Sequence, residues 1–118
     1  MAAETRTDRV MIVEMREYTL HPGKVPEYLK LYEHEGLEIQ REILGRMVGY
    51  YSTEVGPSLN QVVHMWAYDS FEDRVQRRAR LAANPSWQAY VQKIRPMLVE
   101  QRNRVLRPAP FFESELPR

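Results

Sequence analysis

Over residues 10–20, VMIVEMREYTL, side chains alternate so that Met11, Val13 and Met15 fall on one side and Ile12, Glu14, Arg16 and Tyr18 on the other. This period of two, in a stretch rich in apolar and β-favouring residues, predicts a first strand. His21-Pro22-Gly23-Lys24 breaks it with turn residues. Val25, Tyr28, Leu29, Tyr32, Gly36, Ile39 and Ile43 then recur at helical spacing, with Glu27, Lys30, Glu33, His34, Glu38 and Arg41 on the wetter side, predicting an amphipathic helix over about 24–44. Gly45 fits its C-terminal stop. Residues 46–55 (RMVGYYSTEV) and 61–68 (QVVHMWAY), joined by the short loop Gly56-Pro57-Ser58-Leu59-Asn60, read as an antiparallel hairpin. Ser70 with Asp73 resembles a capping box opening a helix over 71–83, and Asn84-Pro85 supplies the cap and first residue of another. That helix carries Trp87, Tyr90, Val91 and Ile94 and meets Pro96, after which residues 99–106 form the last strand. Arg107-Pro108-Ala109-Pro110 halts regular structure, and Phe111-Phe112 is apolar enough to dock.

The order βαββαβ, with right-handed crossovers, predicts an α+β ferredoxin-like sandwich: one four-stranded antiparallel sheet of order 4-1-3-2 with helices on a single face. On the third strand Val63, Met65 and Ala67 suit packing beneath helices, which assigns Val62, His64, Trp66 and Tyr68, with Ile12, Arg16 and Tyr18 of the first strand, to the opposite face. That surface is too apolar to stay wet, so the expectation is a homodimer whose two sheets stack face to face, a dimeric α+β barrel. The domain spans residues 10–112, with a frayed segment 1–9 and a tail 113–118.

Composition narrows the chemistry. A chain of 118 residues has room for one domain. Seventeen basic and sixteen acidic residues leave a net charge of +1, so no global field steers it to nucleic acid or to an anionic membrane. Its apolar runs are far shorter than a bilayer span of roughly 20 residues. The first nine residues lack the basic and apolar regions of a signal peptide, which makes a cytoplasmic location the expectation. The absence of Cys removes disulfides, thiolate nucleophiles and cysteine zinc sites.

Several motifs dissolve on inspection. His34-Glu35 followed by Glu38 resembles the start of a zinc helix, but the second His is missing and His21, His34 and His64 are the only histidines, so no metal site is expected. Arg74, Arg77, Arg78 and Arg80 form a basic stretch; helical spacing places Val75, Ala79 and Ala82 inward and the arginines on a solvated or salt-bridged face. No phosphate-cradling glycine loop or G-x-S-x-G elbow is present.

The candidate chemistry lies on central strands, where a polar group is costly unless paired. Arg16, Tyr18, His64 and Arg104 sit on strands that this topology makes neighbours, so their side chains could converge. In the functional reading His64 is an acid–base group, Arg16 grips an anion or enolate, and Tyr18, Tyr51, Trp66 and Arg104 bind ligand. In the structural reading Arg16 pairs with Glu14, Glu17 or a partner-chain carboxylate, and His64 is satisfied at the dimer seam. Tyr28, Tyr32, Tyr50, Tyr51, Trp66, Trp87 and Tyr90 either wall a flat-ligand pocket or are core.

Ordered blocks along nearly the whole chain resemble the NIPSNAP family: residues 14–24 (EMREYTLHPGK), 35–40 (EGLEIQ), 44–50 (LGRMVGY), 54–57 (EVGP), 60–69 (NQVVHMWAYD) and 103–111 (NRVLRPAPF). The resemblance implies the dimeric α+β barrel. It also implies likeness, at the level of fold, to cofactor-free antibiotic-biosynthesis monooxygenases, haem-degrading monooxygenases and small isomerases. In such barrels the ligand cavity lies between sheet and helices, whereas the polar cluster above falls on the opposite face. Animal members are linked to mitochondria and to vesicle or mitophagy processes; no transit-peptide-like segment is seen here. Two functions follow as expectations. One is a dimer that binds or converts a small hydrophobic or aromatic molecule without metal or other cofactor, haem with His34 or His64 as axial ligand being the lesser variant. The alternative is a non-catalytic homodimeric protein-interaction module.

Overall fold

The computed structural model describes Val10 and residues 12–117. Along the chain come β1 (Ile12–Leu20), α1 (Val25–Leu31), a π-helical turn (Tyr32–Gly36), α2 (Leu37–Leu44), β2 (Arg46–Ser52), β3 (Gln61–Tyr68), α3 (Phe71–Ala83), α4 (Pro85–Ile94), a 3-10 turn (Arg95–Met97), β4 (Leu98–Leu106) and a 3-10 turn (Glu113–Glu115). The sheet is antiparallel, in the expected order β2-β3-β1-β4. Met11 and residues 1–9 lie outside the described residues. The second strand stops at Ser52, three residues short of the expected end.

The caps follow from residue chemistry. Ser70 Oγ accepts from the Asp73 backbone N–H at the start of α3, and Asn84 Oδ1 accepts from the Trp87 N–H at the start of α4. Gly45, at φ +93°, ends α2 in a conformation open to glycine and strained for other residues.

The first helix departs from simple periodicity. Its fully buried positions are Tyr28, Tyr32, Gly36, Gln40 and Leu44, four residues apart throughout; Tyr28, Tyr32 and Gly36 are as expected, while Ile39 and Ile43, expected from a 3.6-residue repeat, are only partly buried and pack at the side of the core. At about 100° per residue a row of five such positions would fan over roughly 160°. The wider π turn takes up much of that drift and keeps the row on the sheet. Gly36 sits inside that turn against Tyr90; a Cβ there would lie 3.0 Å from the rings of both Tyr32 and Tyr90.

The sheet faces are the reverse of the expectation. Val62, His64, Trp66 and Tyr68 are buried beneath the helices, together with Ile12, Glu14, Tyr18 and Leu20. Val13, Met15, Val63, Met65 and Ala67 occupy the face without helices. Both sets contain apolar residues, so hydrophobicity alone does not break the tie. Volume does: Trp66 and Tyr68 need the deep space that only a helical layer encloses. The apolar argument for a dimer through Trp66 and Tyr68 therefore falls. The helix-free face is partly covered by the tail, where Leu116 packs on Val10, Val13 and Ala67, while Phe111 and Phe112 stay exposed.

α3 is also rotated relative to the expectation. Arg74, Arg77, Arg78 and Leu81 turn inward, at positions i, i+3, i+4 and i+7, while Val75, Ala79 and Ala82 are exposed. Arginines can line this inner face because the sheet beneath offers a carboxylate, and α2 offers the Ile43 and Leu44 carbonyls that Arg77 caps.

Candidate functional site

Register brings the site together. Arg16 lies opposite His64 on β3 and Asn103 on β4; Glu14 lies opposite Trp66 and Val105; Tyr50 on β2 lies opposite His64. All of these point to the helical side. Arg104 is opposite Met15, and Tyr51 opposite Val63, so both project from the other face and neither joins the cluster expected of them. Tyr18, Trp66, Arg16 and His64 do share one face. Asn103 takes the place expected of Arg104, and Tyr50 that of Tyr51; the one-residue difference reverses side-chain direction in a strand.

The ionic centre is Glu14, whose side chain is fully buried. Arg74 donates to both its oxygens, at 3.0 and 2.8 Å; Arg16 Nη1 donates at 3.0 Å and Asn103 Nδ2 at 2.7 Å. Burial alone would raise its pKa. The hydrogen bonds from Arg74 and Asn103 and the charges of Arg16 and Arg74 outweigh that and bring it down to about 2. Arg16 Nε also donates to the Tyr18 hydroxyl at 3.2 Å.

Beside this centre stands an aromatic wall. His64 stacks on Tyr50 with ring centroids 4.6 Å apart and meets Tyr18 edge-on at 4.9 Å. The Tyr28 and Tyr50 hydroxyls are 2.7 Å apart, and Tyr32 donates to Gln40 at 2.6 Å. Burial pushes the phenols of Tyr28, Tyr32 and Tyr50 up, so they stay protonated.

The state of His64 follows from its neighbour. Trp66 Nε1 is always a donor and lies 2.8 Å from His64 Nδ1, which must then accept, so the proton sits on Nε2. Nε2 is itself buried and has no hydrogen-bond partner among the described residues. Burial, helped by the charges of Arg16 and Arg78 and opposed by Glu14, lowers its pKa to about 3. A neutral imidazole with this tautomer presents a donor; it is not poised to take a proton at neutral pH. His34 lies elsewhere, exposed, its Nδ1 2.8 Å from the Lys30 carbonyl.

The helices leave β4 bare: Gln101 and Asn103, on its helical side, are exposed. A cleft of about 430 Å³ opens there, with Arg16, Tyr18 and Gln101 on the sheet side and Arg78, Trp87 and Val91 on the helical side. Among the described residues no three His, Asp or Glu side chains cluster as metal ligands, and no helix is long and apolar enough to cross a membrane. Glu14 appeared in the sequence as one of several partners for Arg16, and Arg74 and Arg78 as surface charges. The signal that could have revealed them is complementarity between a lone strand acid and an arginine pair four residues apart.

This arrangement defines a ferredoxin-like α+β domain with an ionic and aromatic site between sheet and helices. A putative antibiotic biosynthesis monooxygenase from Nitrosomonas europaea has the same fold at a TM-score of 0.61, with 10% identity over 83% of this chain and 98% of that one, a likeness of fold alone. The NIPSNAP family model matches residues 13–113, and the chain belongs to that family. A NIPSNAP-like domain protein from Burkholderia xenovorans is 52% identical, with a TM-score of 0.83, over 86% of this chain and 87% of that one. A NIPSNAP family protein from Agrobacterium tumefaciens is 45% identical, again at 0.83, over 88% and 93%. Human NipSnap homolog 3A is 39% identical over 75 residues, 64% of this chain but 30% of that protein, so the chain spans under a third of that relative's length.

Proposed function

We propose that this NIPSNAP domain binds a small hydrophobic or aromatic molecule in the cleft between α3, α4 and the β1–β4 side of the sheet, and that any conversion there proceeds without a metal. One observation carries this: an open cleft between sheet and helices is walled by Arg16 and Tyr18 on one side and Trp87 on the other, with the buried His64 imidazole packed edge-on against Tyr18 and not itself on the cleft wall. Arg16, already held by Glu14 and Tyr18, keeps a fixed orientation toward the ligand. His64 supports the Tyr18 wall of the cleft from within the core.

Function as a homodimer is part of the proposal, through the helix-free face rather than the aromatic one. Met15, Val63 and Met65 are only partly buried there and Tyr51 and Leu106 are exposed, an apolar surface that a second sheet would cover. The same surface favours the second reading, a non-catalytic homodimeric interaction module. The two separate by ligand: a neutral probe such as 1-naphthamide should quench Trp87 and raise the melting temperature, and both responses should be lost in Trp87→Ala. A native protein indifferent to this and to other aromatic probes would favour the interaction module. Sedimentation at micromolar concentration should give a dimer.

A further inference from the structure

We infer that the cleft selects an organic anion, a carboxylate carried on an aromatic or other apolar body, and that Arg78 is the residue that reads the carboxylate. The inference rests on the cleft being the ligand site and adds the charge of what enters it.

The other inward-facing cations of the site are committed. Arg74 is held by Glu14, Arg77 by Asp73 and the α2 carbonyls, and Arg16 by Glu14 and the Tyr18 hydroxyl. Arg78 differs. Among the described residues no carboxylate forms an ion pair with it, and its Nη1 is buried with no partner at hydrogen-bonding geometry. The Tyr68 hydroxyl interacts with Arg78 from outside good hydrogen-bonding geometry and, being neutral, cannot balance its charge. The remaining charges around the cleft are Glu100, which is bridged to Arg102 at 2.8 Å, and Arg95, which is exposed at the mouth and screened by water.

Glu14 alone answers both Arg16 and Arg74, and no carboxylate among the described residues answers Arg78, so the inner layer carries an excess of positive charge that an anion entering the cleft would reduce. A guanidinium fork matches the two oxygens of a carboxylate. Trp87, Val91 and Ile94 provide an apolar wall for the remainder of the molecule, and about 430 Å³ lies within the range of small-ligand sites.

The test compares 1-naphthoate with its neutral isostere 1-naphthamide by calorimetry on the full chain, in the native protein, Arg78→Gln and Arg78→Lys. The native protein should bind naphthoate on the order of ten- to a hundredfold more tightly than the amide. Arg78→Gln should abolish that preference while keeping amide affinity within about threefold, because the apolar wall is untouched. Arg78→Lys, which preserves the charge and controls for folding, should retain a reduced preference. Equal affinity for the two probes in the native protein, or a preference that survives Arg78→Gln, overturns the role of Arg78 while leaving the cleft as a ligand site. Failure of both probes to bind overturns the cleft as well.

Discussion

Replacing Glu14 by Gln perturbs the ionic centre with almost no change in shape. In the native protein one buried carboxylate receives four hydrogen bonds, two from Arg74 and one each from Arg16 and Asn103. The amide loses the charge and turns an NH2 group toward donors. Two routes give the cost. A pKa brought down from 4.5 to about 2 corresponds to roughly 3 kcal/mol of stability at neutral pH. Removing one partner of a buried ion pair costs about 3–5 kcal/mol, because the guanidinium charges are left uncompensated. The shared value, near 3 kcal/mol, should lower the melting temperature by roughly 10–15 °C in a domain of this size. The pH dependence has a definite sign. The folded-state pKa is depressed, so the carboxylate's contribution is full above about 4.5 and is lost as pH falls toward 2. Urea unfolding of native protein and Glu14→Gln should therefore differ by a constant amount from pH 5 to 8 and converge below pH 4. A difference under about 1 kcal/mol at pH 7, or one equally large at pH 3, would refute the reasoning.

Three further outcomes are expected. His64 is neutral in the fold, with a pKa of about 3, and titrates at 6.5 when unfolded. The unfolded chain binds the extra proton, so stability is complete above pH 6.5 and declines by about 2 kcal/mol between pH 7 and 5; in His64→Gln chemical denaturation should show that slope flattened. Gly36→Ala forces a methyl to 3.0 Å from the Tyr32 and Tyr90 rings and should cost about 1–3 kcal/mol in the same assay. Ser70→Ala removes the α3 cap and should cost about 1 kcal/mol, with ligand affinity unchanged when measured by calorimetry.

The elements and their order were legible because their signals are local. Ser70, Asn84, Gly45 and Pro96 punctuate the chain through caps and missing donors, and alternation fixes which strand residues travel together. Which face the helices cover was not legible. Strand β3 offers Val63, Met65 and Ala67 on one side and Val62, Trp66 and Tyr68 on the other, and local polarity misleads because Glu14 and Arg16 sit on the buried side. Their burial becomes favourable only with Arg74, sixty residues away, and Asn103, further still. For the same reason the convergence of Arg16, Tyr18 and His64 was visible from strand order, whereas Arg74, Arg78 and Asn103 depended on helix rotation and on register within β4. The far end of the buried row in the first helix, Gln40 and Leu44, escaped a 3.6-residue template because a π turn resets its phase.

The central claim is that His64 and its neighbours are enclosed between sheet and helices rather than displayed on an open sheet. A long-range proton–nitrogen NMR titration of the imidazoles tests it most directly. The account predicts a His64 signal with the proton on Nε2, Nδ1 hydrogen-bonded to Trp66, and no change from pH 8 to 5. A His64 resonance that titrates near 6.5, as a solvated imidazole does, would contradict it.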